Sequence, residues 1–198
     1  MNRICVATSD PKAYYDLVSI LKRARLPFSS AMPTEVSPGF ELVLTTSQEA
    51  KLLGDRALAL ETLSRDPAIF KGQVLSRLSN GSESLLVGID PGARSGLAAY
   101  YGDEGLAFLT FDSVEELCSE VSDIVGKVGS RGATVRVGSG NPVLAGEIAS
   151  LLSRVTPGAR IEVVDEAGTS IRGRRPGPFK GDQGAAARIA FRKGVTFT

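Results

Sequence analysis

The chain has no histidine and only two cysteines in 198 residues. Without an imidazole there is no Ser/His or Cys/His dyad, no histidine general base and no histidine-held metal. Any catalysis must therefore rest on carboxylates, metals, lysines or hydroxyls. Cys5 and Cys118 lack metal-ligand spacing, which predicts two buried, reduced thiols. Long apolar runs are missing too. The stretch Ile4 to Ala7 is cut off by Ser9-Asp10, too short for a signal-peptide core, and nothing approaches the length needed to cross a bilayer. These absences predict a soluble protein of the cytoplasm with no membrane partner. Net charge is small, +1 from 23 basic and 22 acidic residues. It is unevenly spread, because from Arg160 onward Arg160, Arg172, Arg174, Arg175, Lys180, Arg188, Arg192 and Lys193 face only Glu162, Asp165, Glu166 and Asp182.

What the chain does have is 42% hydrophobic residues, enough for one good core or two modest ones. Residues 1–79 read as a small Rossmann-like α/β domain. "RICVAT" is a strand, Asp10-Pro11 opens a helix carrying Leu17, Ile20 and Leu21 at helical spacing, and "FELVLTTS" is a second strand. "ALALETLS" is a candidate third strand, and Asp66-Pro67 opens a helix through Val74 and Leu78. The polar run "SNGSES" supplies a linker at 80–84.

Residues 85–198 change pattern. "SLLVGID" is a short apolar strand, and residues 95–101 and 105–111 flank "GDEG" as two more, forming a meander. A helix capped by Asp112 or Ser113, the strand "ATVRVG", a helix opened by Asn141-Pro142, the strand "RIEVVDE" and a last helix over 183–193 follow. The order is β-β-β-α-β-α-β-α, a mixed five-stranded sheet. Its first three strands are antiparallel, and helical crossovers make the later ones parallel.

Asp90 is the residue that draws attention, standing where the first of these strands empties into Pro91-Gly92. Leu86, Gly88 and Asp90 share one face, so the carboxylate can point toward a crevice at the strand's end. The same residue also suits an Asx-type turn before proline. Gly92 would let a group such as a phosphate approach the backbone.

"GIDPG" with the following Ser-Gly, "VVDEAGTS" at 163–170 and "DQGAAARIA" at 182–190 together resemble the ribonuclease H-like nuclease superfamily. The closest likeness is to the RuvC-type Holliday-junction resolvases and the YqgF-type resolvase-like proteins, over roughly residues 84–193. The resemblance implies a ribonuclease H-like domain of strand order 3-2-1-4-5 that hydrolyses phosphodiesters with metal-activated water. It also implies Mg²⁺ or Mn²⁺ held by carboxylates, with paired ions about 4 Å apart. Carried onto this chain, Asp90, Glu166 and Asp182 become the catalytic and metal-binding residues. Of the adjacent pair Asp165 and Glu166, only one can face the site from a strand, and Glu166 matches the family's position. Asp182 also suits an N-cap. The chain departs from the RuvC-type pattern at its fourth strand, which ends Gly138-Ser139-Gly140 where those enzymes carry a glutamate.

Between Glu166 and Asp182, "AGTSIRGRRPGPFKG" offers Arg172, Arg174, Arg175 and Lys180 as sequence-independent phosphate contacts, and Phe179 for stacking on a base. The same stretch also reads as a solvated charged loop. The partner so implied is nucleic acid, a DNA junction or structured RNA, and junction cleavage favours a homodimer with two sites. Two other readings stay open. The missing fourth-strand acid suits a catalytically silent module that binds nucleic acid or a protein. "DPGARS" is comparable to the first phosphate loop of actin-like and sugar-kinase-like ATPases, but those need two related halves and no second loop repeats here.

Overall fold

A computed structural model of the chain describes residues 3–128, 132–165 and 181–197. They form an α/β protein of two compact units, 1–80 and 81–198, each with its own sheet.

The first unit is an all-parallel sheet of order β2-β1-β3-β4, built from β1 (Ile4–Val6), β2 (Ser29–Ser30), β3 (Leu42–Thr45) and β4 (Ala57–Ala59). Helices α1 (Pro11–Arg23), α2 (Ser47–Leu53) and α3 (Pro67–Leu78) connect and cover it. The Asp10 carboxylate accepts from the amides of Lys12 and Ala13, so α1 starts where Pro11 needs no partner. Its Leu17, Ile20 and Leu21 pack with Phe70 and Val74 of α3 over Ile4, Val6, Leu42 and Leu44. On the other face Cys5, Ala7 and Val43 are covered by Ala31, Val36, Phe40 and Leu53. Two details differ from the sequence reading. The third strand is only three residues long before a 3-10 turn at Leu60–Thr62, and the short helix α2 occupies a stretch to which the sequence reading assigns no element. Thr46 caps α2 by accepting from the Glu49 amide, and its hydroxyl donates back to the Glu49 carboxylate, a closure too compact to leave an apolar period.

The second unit holds β5 (Leu85–Asp90), β6 (Ser95–Tyr101), β7 (Glu104–Phe111), β8 (Ala133–Gly138), β9 (Ala159–Val164) and β10 (Val195–Thr196). The sheet order is β10-β9-β8-β5-β6-β7, antiparallel from β5 to β7 and parallel across β5, β8 and β9. The sheet has six strands rather than the five expected, because β10 adds antiparallel to the edge at β9. Helices α4 (Val114–Val128) and α5 (Pro142–Val155) pack against each other and the sheet, and α6 (Gly181–Ala190) lies against β5 and β6. Alternation sorts the strands. Leu85, Val87, Ile89, Val135 and Val137 are fully or nearly fully buried on one face, while Leu86, Ala98, Tyr100 and Phe108 meet Ala186, Ala187 and Ala190 of α6 on the other. Among the described residues no helix is long and apolar enough to cross a membrane.

Candidate active site

The α6 face decides where the acids lie. Gly88 and Asp90 sit two residues apart on β5 and so share that face. Gly88 is level with Ala98 on β6, Arg136 on β8 and, through Arg136, Glu162 on β9. A Cβ at Gly88 would collide with the Ala186 carbonyl and the Ala190 amide, so the missing side chain lets α6 settle onto the sheet. One step nearer the carboxyl end of β5, Asp90 is level with Gly96. A Cβ at Gly96 would collide with the Asp182 carbonyl and come within 3.0 Å of the Asp182 Cβ. Opposed residues of an antiparallel pair have Cα atoms about 4.5–5.5 Å apart, so the first turn of α6 stands beside Asp90. The structure thus brings Asp90 and Asp182, both half-buried, to one corner at the carboxyl end of the central strand.

The neighbouring strands contribute little acid there. Continuing the register beyond Ile89 and Val137 puts Gly138 level with Asp90, and Gly138 pairs with Val164 on β9. The position on β8 that faces the corner therefore has no side chain, and the one on β9 is apolar. Glu162 shares the α6 face but is already engaged. Its Oε2 accepts from Arg136 Nε at 2.8 Å, Arg136 also donates to the Ala190 carbonyl at 2.6 Å, and both side chains are nearly buried. This pair clamps β8, β9 and the end of α6, and it leaves Glu162 no role as a ligand. Glu166, Arg172, Arg174, Arg175, Lys180 and Phe179 lie outside the described residues. Among the described residues no cluster of three or more metal-ligating side chains occurs.

One cation that sequence reasoning passed over reaches the same row of the sheet, two strands from Asp90. Arg94, in the turn between β5 and β6, donates from Nη2 to Thr110 Oγ1 at 2.8 Å, and Thr110 is level with Gly96. A looser ion pair of 3.4 Å to exposed Asp112 adds orientation rather than stability. The signal was present in "DPGARS", but only the sheet register shows that the guanidinium returns to the row of Asp90.

The cysteines are buried. Burial, with help from Glu115 and Glu147, pushes the Cys118 thiol up to about 11, and burial also raises Cys5. Neither thiol is poised as a nucleophile. In the first unit a cavity of about 230 Å³ opens at the carboxyl ends of β1 and β3, where the chain order reverses, lined by Ser9, Asp10, Thr46, Gln48, Glu49 and Glu61. Its carboxylates are spoken for: Glu49 accepts from the Ser9 amide, the Ser9 hydroxyl and the hydroxyls of Thr45 and Thr46, and Glu61 accepts from the amide and hydroxyl of Ser47.

No protein-family model and no curated protein matches the sequence. A solved structure of the Argonaute of Marinitoga piezophila, in complex with 5′ OH guide RNA and target DNA, is similar over 83% of this chain, at 11% identity and a TM-score of 0.33. This chain spans 39% of the length of that one. A likeness so slight supports no step below.

Proposed function

We propose that the second unit is a ribonuclease H-like domain that hydrolyses phosphodiester bonds in structured nucleic acid, with Asp90 and Asp182 at its reacting corner. The observation that carries this is the meeting of two acids from opposite ends of the unit, made feasible by the bare backbone of Gly96. Counted from β5, the first five strands stand in the order 3-2-1-4-5, which agrees with the resemblance of "GIDPG" and "DQGAAARIA" to resolvase-like nucleases. The donor set fits a hard divalent ion. Mg²⁺ binds through one or two carboxylates and fills its remaining positions with water and substrate phosphate oxygens, so two aspartates suffice to hold it. A bound Mg²⁺ or Mn²⁺ would polarise the phosphoryl oxygen and ease deprotonation of the attacking water. The chain's own part is to fix both carboxylates on one rim, through strand β5 for Asp90 and through the seating of α6 for Asp182. Arg94, whose guanidinium bonds Thr110 two strands from Asp90 in the same row, is the cation proposed for a neighbouring phosphate. The partners proposed are a DNA junction or structured RNA.

The test is cleavage of a labelled four-way DNA junction and of a structured RNA in Mg²⁺ and in Mn²⁺, by the wild type and by Asp90→Asn and Asp182→Asn. Each variant should lose at least about a hundredfold in rate, on the scale of about 2.7 kcal/mol of transition-state stabilisation. Asp182 lies inside the first turn of α6 rather than at its N-cap, so Asp182→Asn keeps the size and shape of the side chain while removing the charge. Cleavage by both variants at the wild-type rate would overturn the assignment.

Gly138 favours a second reading, since the β8 position facing Asp90 offers no carboxylate. On that reading the unit binds nucleic acid or a protein without cutting. Nucleic-acid binding that is indifferent to divalent ions, with no cleavage under any of the conditions above, would establish it. The ATPase-like reading loses ground, because the two units share no sheet topology.

A further inference from the structure

On the flank of α6 a groove of about 160 Å³ is lined by Ala185, Arg188, Ile189 and Arg192. Ala185 and Ile189 form its apolar floor, and the two arginines, Arg188 on the helix and Arg192 just past its end, supply positive charge. Resting on the reading of Asp90 and Asp182 as a phosphodiester site, we propose that this groove is a track for the phosphate backbone of the nucleic-acid strand presented to that site.

Three observations carry the proposal. Residues 183–198 contain Arg188, Arg192 and Lys193 and no acid, so the groove's field is not neutralised by its own segment. Arg188 is exposed and forms no ion pair or hydrogen bond among the described residues. Finally, the groove reaches the reacting edge. Arg192 Nη1 lies 3.4 Å from the carbonyl of Asp165, the residue just beyond β9, at the same end of the parallel strands at which Asp90 closes β5.

The spacing suits a strand. Arg188 stands six residues beyond Asp182, about 9 Å along the helix axis, a span that about three stacked nucleotides cover at about 3.4 Å each. Arginine reads phosphate with a planar, bidentate fork and carries no sequence preference in doing so. The track therefore positions the strand, while Asp182 at the start of the same helix and Asp90 at the end of β5 address one phosphodiester.

The experiment measures binding with cleavage switched off. The full chain carrying Asp90→Asn is titrated into a fluorescein-labelled four-way junction and a labelled single strand in EDTA, from about 50 to about 200 mM salt, with and without Arg188→Gln, and with Arg188→Gln plus Arg192→Gln. Each lost phosphate contact should lower the slope of log Kd against log salt by about 0.7–0.9, so that each arginine removed shrinks the salt-induced weakening about threefold over that range. Arg188→Gln touches nothing else among the described residues, so its effect stands even if the double variant is poorly folded. Unchanged slopes and affinities in Arg188→Gln would overturn the proposal. Inorganic phosphate forms the other arm: if it binds through Arg188 while neither nucleic acid does, the groove is a small-anion site and the track is refuted. Failure of Asp90→Asn to abolish cleavage would instead strike the acid site and leave the slopes as they are.

Discussion

At the scale of single residues, two glycines decide whether the acids meet. Asp90 was legible in the sequence because an acid at the mouth of an apolar strand, followed by Pro-Gly, has few structural uses. Gly88 and Gly96 were not, since their role depends on a helix that begins some 90 positions later, and no local pattern encodes such an approach. Gly96→Ala should therefore act at a distance from any charge. Its new methyl would meet the backbone carbonyl of Asp182, which cannot rotate away as a side chain would. Overpacking of that kind costs about 1–3 kcal/mol, and it would lift the first turn of α6 from Asp90. The expected outcome is a lower melting temperature together with loss of metal-dependent cleavage. Gly126→Ala, within α4 and with open space where its Cβ would be, is the control. It should keep cleavage intact and gain up to about 1 kcal/mol, the ordinary cost of glycine in a helix. If Gly96→Ala cuts at the wild-type rate, the approach of α6 does not build the site.

At the scale of elements, strong periodicity and strong caps announced themselves, and short elements did not. Asp10-Pro11, Asp66-Pro67 and Asn141-Pro142 each placed a helix start at its observed residue, because a capping side chain and a proline act within three residues. Strand β10 is two exposed residues that exist only by pairing with β9, and α2 is held by hydrogen bonds linking its own Ser47 and Glu49 to residues outside its segment, Glu61 and Ser9. Glu49 is that fastening, joining the loop after β1 to the start of α2. Burial works to raise its carboxyl, but hydrogen bonds from the Ser9 amide and from the hydroxyls of Ser9, Thr8 and Thr46 outweigh burial and hold it at about 2, against an ordinary 4.5. A carboxyl depressed in the folded state stabilises it fully above the unfolded value and ceases to do so as pH falls through the folded one. The first unit should lose this contribution between about pH 4.5 and about pH 2. Urea titrations at stepped pH, followed by NMR signals of residues 4–49, should show Glu49→Gln less stable at pH 7 and flatter across that window. The slope that remains belongs to Glu41, lowered by its hydrogen bond from Arg3, and to Glu61, lowered by its own amide and by Ser47. A variant with the full wild-type acid slope would show that Glu49 is not the fastening.

At the scale of the whole molecule, the chain spends its apolar residues on separate cores. Leu17, Leu21, Phe70 and Val74 belong to the first unit, and Ala98, Tyr100, Ala186 and Ala190 to the second. The division falls between Asn80 and Gly81, both in left-handed conformation, inside the polar stretch that composition alone marked as a linker. What the first unit recognises was not legible, because the carboxylates of its polar cavity are taken by neighbouring amides and hydroxyls and a well-packed parallel sheet names no ligand. The second unit, by contrast, contains every residue on which the proposed chemistry depends: Asp90, Arg94, Asp182, Arg188 and Arg192. A domain of about 120 residues with its own core is large enough to fold alone. Residues 81–198 expressed by themselves should melt in one cooperative transition by calorimetry. They should also retain Mg²⁺- or Mn²⁺-dependent cleavage that is sensitive to Asp90→Asn, at a rate within about tenfold of the full chain, or about 1.4 kcal/mol in barrier. A fragment that melts cooperatively yet cuts nothing, while the full chain cuts, would mean that the first unit supplies part of the reacting site, and the assignment of catalysis to the second sheet alone would fall.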